Sequence, residues 1–199
     1  PITGSLSVSG DLTASGSQFA DLKKTAAGAL QIRAEKGVLK KFPVLSKIFS
    51  LLNVSQLFRL KLPDMAKDGM PYSAITAHAS VQNGVFSSKD FFIAGDAMEI
   101  SAAGSVDAFR KEVDCIAGIH PLQTLDLIVS KMPVVGWLIL DKNGNVLTIY
   151  VKINGDWKDP NVKPMPVRSI GKETLGVFRR LFQLPEKLIT DTGEVILGN

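Results

Sequence analysis

Apolar and polar residues alternate with a period of two along most of this chain, which sends one set of side chains to each face of a β-sheet. The clearest runs are Met98-Glu99-Ile100-Ser101-Ala102-Ala103-Gly104-Ser105-Val106 and Val113-Asp114-Cys115-Ile116-Ala117-Gly118-Ile119, hinged on Asp107 to Glu112. The alternation returns at Leu6, Val8, Gly10 and Leu12, at Leu30, Ile32 and Ala34, at Ile75, Ala77, Ala79 and Val81, and at Leu147, Ile149, Val151 and Ile153. One sheet face is therefore apolar over most of the chain, and it has to meet either protein or lipid.

Turn chemistry divides the pattern into elements. Strands are predicted at Gly4 to Ala14, at Ala29 to Glu35 and at Val38 to Lys40, the last two separated by Gly37, with a short helical turn at Phe19 to Leu22. Hairpins occupy Tyr72 to Ile119, turning at Asn83-Gly84, at Ala94-Gly95-Asp96 and at Asp107 to Lys111. Short connections make the strands antiparallel neighbours. The last long strand is Val146 to Asn154, entered from Asn143-Gly144 and closed by Gly155-Asp156-Trp157-Lys158-Asp159-Pro160.

Helical spacing appears three times. Val44, Leu45, Ile48, Phe49, Leu51 and Leu52 form an apolar stripe after Pro43, with Asn53 to Phe58 starting a second short helix. Leu122, Leu125, Ile128, Val129 and Met132 form another stripe between Pro121 and Pro133. The third helix, about Ser169 to Leu184, carries Ile170, Leu175, Val177, Phe178, Leu181 and Phe182 on one side. These stripes either cover the sheet's open side or end, or are ordinary core.

With 199 residues, 45% hydrophobic and 21% charged, the chain suffices for one large domain and is not disordered. Residues 1–187 read as that single domain and 188–199 as a tail. Aromatics are 7% and many inward positions are Ala, Gly, Val or Ile, so the face has few bulky plugs. Glycines within alternating runs, Gly10, Gly28, Gly104 and Gly118, supply bends or mark turn boundaries.

Charge is uneven. Residues 158–187 hold seven Lys or Arg against three Asp or Glu, within a net formal charge of +4. A basic segment after an apolar sheet is either a solvated helix face or a contact for an anionic surface such as lipid head groups. No apolar run is long enough to span a bilayer as a helix. The pattern starts abruptly at Pro1-Ile2-Thr3-Gly4, so the chain reads as a piece of a longer protein, with any anchor or export signal upstream.

Catalytic chemistry is not legible. His78 and His120 lack Cys or carboxylate partners at ligand spacing, Cys115 lies in a strand as a small hydrophobe, and there is no nucleophile elbow or phosphate loop. Asp156 and Asp159 flank Trp157 in a turn, where Asp ordinarily caps. No enzyme, metal site or cofactor is expected, and Lys and Arg do not interleave with exposed aromatics as nucleic-acid binding requires.

The order of motifs resembles the C-terminal domain of the AsmA-like superfamily, Gram-negative envelope proteins of the AsmA, TamB and YhdP types. The resemblance rests on Asn83-Gly84-Val85, Ile100-Ser101-Ala102-Ala103-Gly104-Ser105-Val106-Asp107, Pro121-Leu122-Gln123-Thr124-Leu125-Asp126, Met132-Pro133-Val134-Val135-Gly136, Gly155-Asp156-Trp157-Lys158-Asp159-Pro160 and Phe178-Arg179-Arg180-Leu181-Phe182-Gln183-Leu184-Pro185. Upstream, Lys41 to Ser50 and Leu52-Asn53-Val54 are similar to the family's helical segment. The resemblance implies a groove of curved β-sheet that moves phospholipid across the periplasm, in a protein anchored to the inner membrane, and it implies no catalytic residue.

The expected architecture is mainly β with some α, a curved antiparallel sheet forming a groove with amphipathic helices over one side or end. The expected lipid-facing residues are Leu6, Val8, Leu12, Leu30, Ile32, Ile75, Val81, Met98, Ile100, Val106, Val113, Ile119, Leu147, Ile149, Val151 and Ile153. Arg168, Lys172, Arg179 and Arg180 are the expected head-group contacts, with Phe178, Leu181 and Phe182 either inserted shallowly in the membrane or packed on the sheet. Partners are phospholipid or another acyl-chain lipid, upstream groove repeats of the same chain, and a membrane surface or outer-membrane protein, without nucleic acid. The alternative is a non-enzymatic interaction or assembly module of outer-membrane biogenesis whose core is filled.

Overall fold

Nine strands carry the described part of the chain, all paired antiparallel in a single sheet. The computed structural model describes residues 2–40, 43–51, 69–96, 98–122, 138–140 and 146–183. The strands are β1 (Ser5–Thr13), β2 (Ala27–Leu39), β3 (Met70–Gln82), β4 (Val85–Gly95), β5 (Met98–Asp107), β6 (Glu112–Pro121), β7 (Leu138–Leu140), β8 (Val146–Asp156) and β9 (Asn161–Pro164). Among the described residues three α-helices accompany them, α1 (Phe19–Thr25), α2 (Pro43–Leu51) and α3 (Lys172–Phe182), the last preceded by a short 3₁₀ turn, Val167–Ser169.

The spatial order is β1-β2-β3-β4-β5-β6-β8-β7, and β9 pairs with β8. β7 takes the part of β8 up to Ile149 and β9 the part from Val151, so the two lie end to end along one edge. β1 forms the opposite edge. The β3–β4 hairpin turns on Asn83 and Gly84, both at positive φ (51° and 78°), as a two-residue turn matching the strand twist requires. Gly84 is also a close approach, since a Cβ there would lie 2.0 Å from the Phe109 ring of the next hairpin.

Several expectations are corrected. The two strands split at Gly37 are one, β2, because the chain resets its phase without breaking. Lys36 adopts φ 51°, and the register with β4 shifts between Tyr72 and Ala74 on the neighbouring strand. Both resets occur at the same height, so β2 and β3 stay in register through them. Leu39 and Tyr72 consequently join the same core as Ala34 and Ile75 despite odd spacing, and the Tyr72 hydroxyl donates to the Thr3 carbonyl at 2.6 Å.

Gly10, Gly28 and Gly104 do leave the ordinary β region at positive φ, whereas Gly118 does not. Its missing side chain makes room instead, because a Cβ there would sit 3.1 Å from Tyr150 and 3.3 Å from Phe178 and Phe182. Helix α3 begins at Lys172, three residues later than the spacing predicts, and β9 was not foreseen. The expected helices at Asn53 to Phe58 and between Pro121 and Pro133, from Gln123 onward, lie outside the described residues, as do the Asn143-Gly144 turn and the tail.

Lys47 Nζ donates to the Pro160 carbonyl at 2.7 Å and pairs with Asp159 at 2.5 Å, so α2, which follows β2 in the chain, also meets the turn leading into β9 at the far end of the strand order. The sheet bends around α2, and Leu45 and Ile48 enter the same apolar cluster as the strand isoleucines.

Candidate functional site

Register assembles one aliphatic row across the sheet. Leu6 lies opposite Ala34, Ala34 opposite Ile75, Ile75 opposite Ile93, Ile93 opposite Ile100, Ile100 opposite Ile119, Ile119 opposite Ile149 and Ile149 opposite Leu138. Directly opposed residues share a face, so this is a ladder running through eight strands in spatial order. Flanking rows repeat it: Val8-Ile32-Ala77, Ala102-Ala117-Val151, Gly104-Cys115-Ile153-Val162, and Leu12-Gly28-Val81-Phe86-Val106-Val113.

Fifteen of the sixteen expected lipid-facing residues fall on this face by register or by alternation within a strand, and the Leu147 side chain lies outside the described ones. Their surroundings differ along it. Ile75, Val81, Met98, Ile100, Ile119, Ile149, Val151 and Ile153 are buried, while Leu30, Ile32, Val106 and Val113 are half-buried. Leu6, Val8 and Leu12 on β1 are 65%, 55% and 50% exposed. The ladder thus runs from a covered deep end beside α2 to an open mouth on the edge strand.

The other face is different in kind. Phe178 and Leu181 of α3 are buried against it, Phe178 stacks on Tyr150 with ring centroids 6.1 Å apart, and Phe182 stacks on His120 at 5.3 Å. Of the two alternatives for these side chains, packing on the sheet is the one found. Arg168, Lys172, Arg179 and Arg180 are left exposed on the outside. Burial pushes the Tyr150 phenol above its ordinary pKa, partly offset by the Arg179 charge and a hydrogen bond with Thr148.

Beyond α3 this second face holds a recess of about 600 Å³, lined by Ser9, Gln31, His78, Ser80, Lys89 and Val177 among others. Sequence reasoning did not bring His78 and Asp90 together, because the two are joined only by strand pairing. His78 Nδ1 and the buried Asp90 Oδ2 are 2.6 Å apart, while Asp90 Oδ1 accepts the His78 backbone N–H at 2.9 Å and the Ser88 hydroxyl at 3.0 Å. Catalysis by a hydroxyl would need imidazole between acid and nucleophile. Here the carboxylate lies between them, at the bulge where the β3–β4 and β4–β5 registers both shift, and it caps the backbone donor exposed by that bulge.

Cys115 sits on the ladder face, where burial pushes its thiol up to about 11 from 9.0, against a lowering by the nearby Lys152 charge and with a smaller rise from Asp114. A group whose folded pKa is raised supports the fold below its unfolded value and loses that support as pH rises through the folded one. We therefore expect urea stability to decline between about pH 9 and pH 11. The decline should be shallower in Cys115→Ala, as unfolding curves followed by circular dichroism will measure.

The fold is an open antiparallel sheet with a one-sided aliphatic ladder and helices on both faces, and the family comparison makes it an AsmA-like envelope protein domain. The family is more particular: the model of the family described as YhdP protein matches residues 2–162, and the chain belongs to that family. No curated protein and no solved structure matches it. Among the described residues, no helix is long and apolar enough to cross a membrane.

Proposed function

We propose that the ladder face holds the acyl chains of a phospholipid, or of another acyl-chain lipid, in transit through the periplasm between the inner and outer membranes. The observation that carries this reading is the row of aliphatic side chains through eight strands with its β1 end open to solvent. Lipid leaving a bilayer exposes acyl chains to water at about 0.8 kcal/mol per CH₂, so a continuous apolar track lowers the barrier to transfer. Non-directional contact suits sliding, since aliphatic side chains offer no hydrogen bond that would fix one molecule in place. Strands from upstream repeats of the same chain, themselves anchored in the inner membrane, would pair with the β1 edge and lengthen the track. Helix α2 closes its far end.

The reading is tested where the ladder is exposed. Leu6→Asp/Val8→Asp changes two surface positions, so stability should move by no more than about 0.5 kcal/mol per site. The wild-type chain should yield phospholipid on organic extraction and mass spectrometry, and the double variant should yield several-fold less at an unchanged circular dichroism spectrum. No lipid in the wild type, with a silent apolar dye such as ANS, contradicts the proposal.

A second reading has its own observation in its favour. Leu45 and Ile48 of α2 share the apolar cluster with the ladder isoleucines, as in a non-enzymatic assembly module with a filled core. That module would dock partners through the β1 edge and would carry no lipid.

A further inference from the structure

We propose that the outer face of α3 docks on an anionic bilayer surface, seating a lipid phosphate over the bare helix backbone at Gly176. The inference stands apart from the groove, since it concerns the opposite side of the sheet, and α3 lies beyond the residues matched by the family model. The first observation is where the charge resides. Residues 161–183 contain five basic residues, Lys163, Arg168, Lys172, Arg179 and Arg180, against one acid, Glu173, and the remainder of the chain holds eighteen of each sign. The entire net charge of +4 is thus concentrated in this segment. Arg168, Lys172, Arg179 and Arg180 are exposed, and among the described residues none of the four forms an ion pair.

The second observation is Gly176. Glycine is among the poorest formers of a helix interior, and where it persists a packing contact normally accounts for it. None does here, because a Cβ at Gly176 would meet nothing within 4 Å. Its helical neighbours at i−4, i−3, i+3 and i+4 are Lys172, Glu173, Arg179 and Arg180. A patch of bare backbone is bordered by three cations and one carboxylate, a net positive surround with room that a tetrahedral phosphate fills and a side chain would obstruct. Phe178 and Leu181, buried on the opposite side of the helix, hold this surround rigidly outward. The seat is shallow and open, so it suits a phosphate presented by a surface rather than one enclosed from solution. The basic face carries no aromatic side chains on which bases could stack.

The test is co-sedimentation of the whole chain with vesicles of phosphatidylcholine alone or mixed with phosphatidylglycerol. Binding should require the anionic lipid and weaken as salt rises. Lys172→Gln/Arg179→Gln/Arg180→Gln should weaken it on the order of a hundredfold, and Gly176→Glu about tenfold, whereas Lys23→Gln/Lys24→Gln/Lys111→Gln, equal in charge but in the β1–β2 and β5–β6 connections, should change it less than about threefold. Circular dichroism checks that each variant is folded. Equal losses in the two triple variants, or equal binding to uncharged vesicles, would overturn the proposal. So would displacement from vesicles by inorganic phosphate at matched ionic strength, which would identify a site for the free ion. Ile32→Asp, on the ladder face, should leave vesicle docking intact, so failure of the groove reading and failure of this one are separable.

Discussion

Ile119→Asp is expected to abolish cooperative folding. Ile119 is 1% exposed, lies opposite both Ile100 and Ile149, and sits mid-ladder where the curved sheet and α2 exclude water. Truncating such a side chain to Ala costs about 2–5 kcal/mol, and an unpaired carboxylate in apolar surroundings adds a further desolvation penalty of several kcal/mol. Domains of this kind have about 5–15 kcal/mol in total, so the variant should show no unfolding transition by circular dichroism at 25 °C. A folded variant with an unfolding temperature near that of wild type would mean that the centre of the face is not packed. Ile100 and Ile149 have similar burial, so Asp at either cannot separate a hollow track from a filled one. That separation has to be sought at the exposed end, on β1.

The second large effect is on the other side of the sheet. Phe178→Ala should destabilise the chain by about 3–5 kcal/mol, because the ring is fully buried, stacked on Tyr150 and fitted to the space left by Gly118. At about 2–4 °C per kcal/mol for a chain of this length, the melting temperature should fall by roughly 6–20 °C. Limited proteolysis should then cut first at Arg179 or Arg180, as α3 loses its hold. A variant that melts like wild type would show that α3 contributes little to the packing of that face.

Much of the sheet was legible in the sequence, because a period of two is the direct imprint of a surface with two unlike sides. The alternation at Ile75, Ile100, Ile119 and Ile149 names the ladder correctly, and Asn83-Gly84 fixes one hairpin register. What alternation cannot convey is depth. Leu6 and Ile119 look equivalent in a pattern, yet one is 65% and the other 1% exposed, since edge position and curvature are properties of the assembled sheet. Phase resets are equally hidden: Lys36 and Ser73 look like ordinary polar positions, and only their pairing reveals that both strands turn over together. Gly118 reads as a bend from its neighbours along the chain, whereas its role is set by Phe178 and Phe182, some sixty residues downstream. β9 escaped notice because four residues ending in Pro164 carry too little periodicity to register. The His78–Asp90 contact was invisible for the same reason as the ladder was visible, since it depends on where two strands slip rather than where they keep step.

The most direct measurement of the account's central claim uses alternation itself. A photoreactive aromatic residue placed singly at Leu6, Ser7, Val8 or Ser9 on β1, and illuminated in cells of the native envelope, reports what each face touches. Phospholipid adducts at positions 6 and 8, with few or none at positions 7 and 9, are the predicted result. Equal adducts at all four positions, or none at 6 and 8, would contradict a lipid track along the ladder.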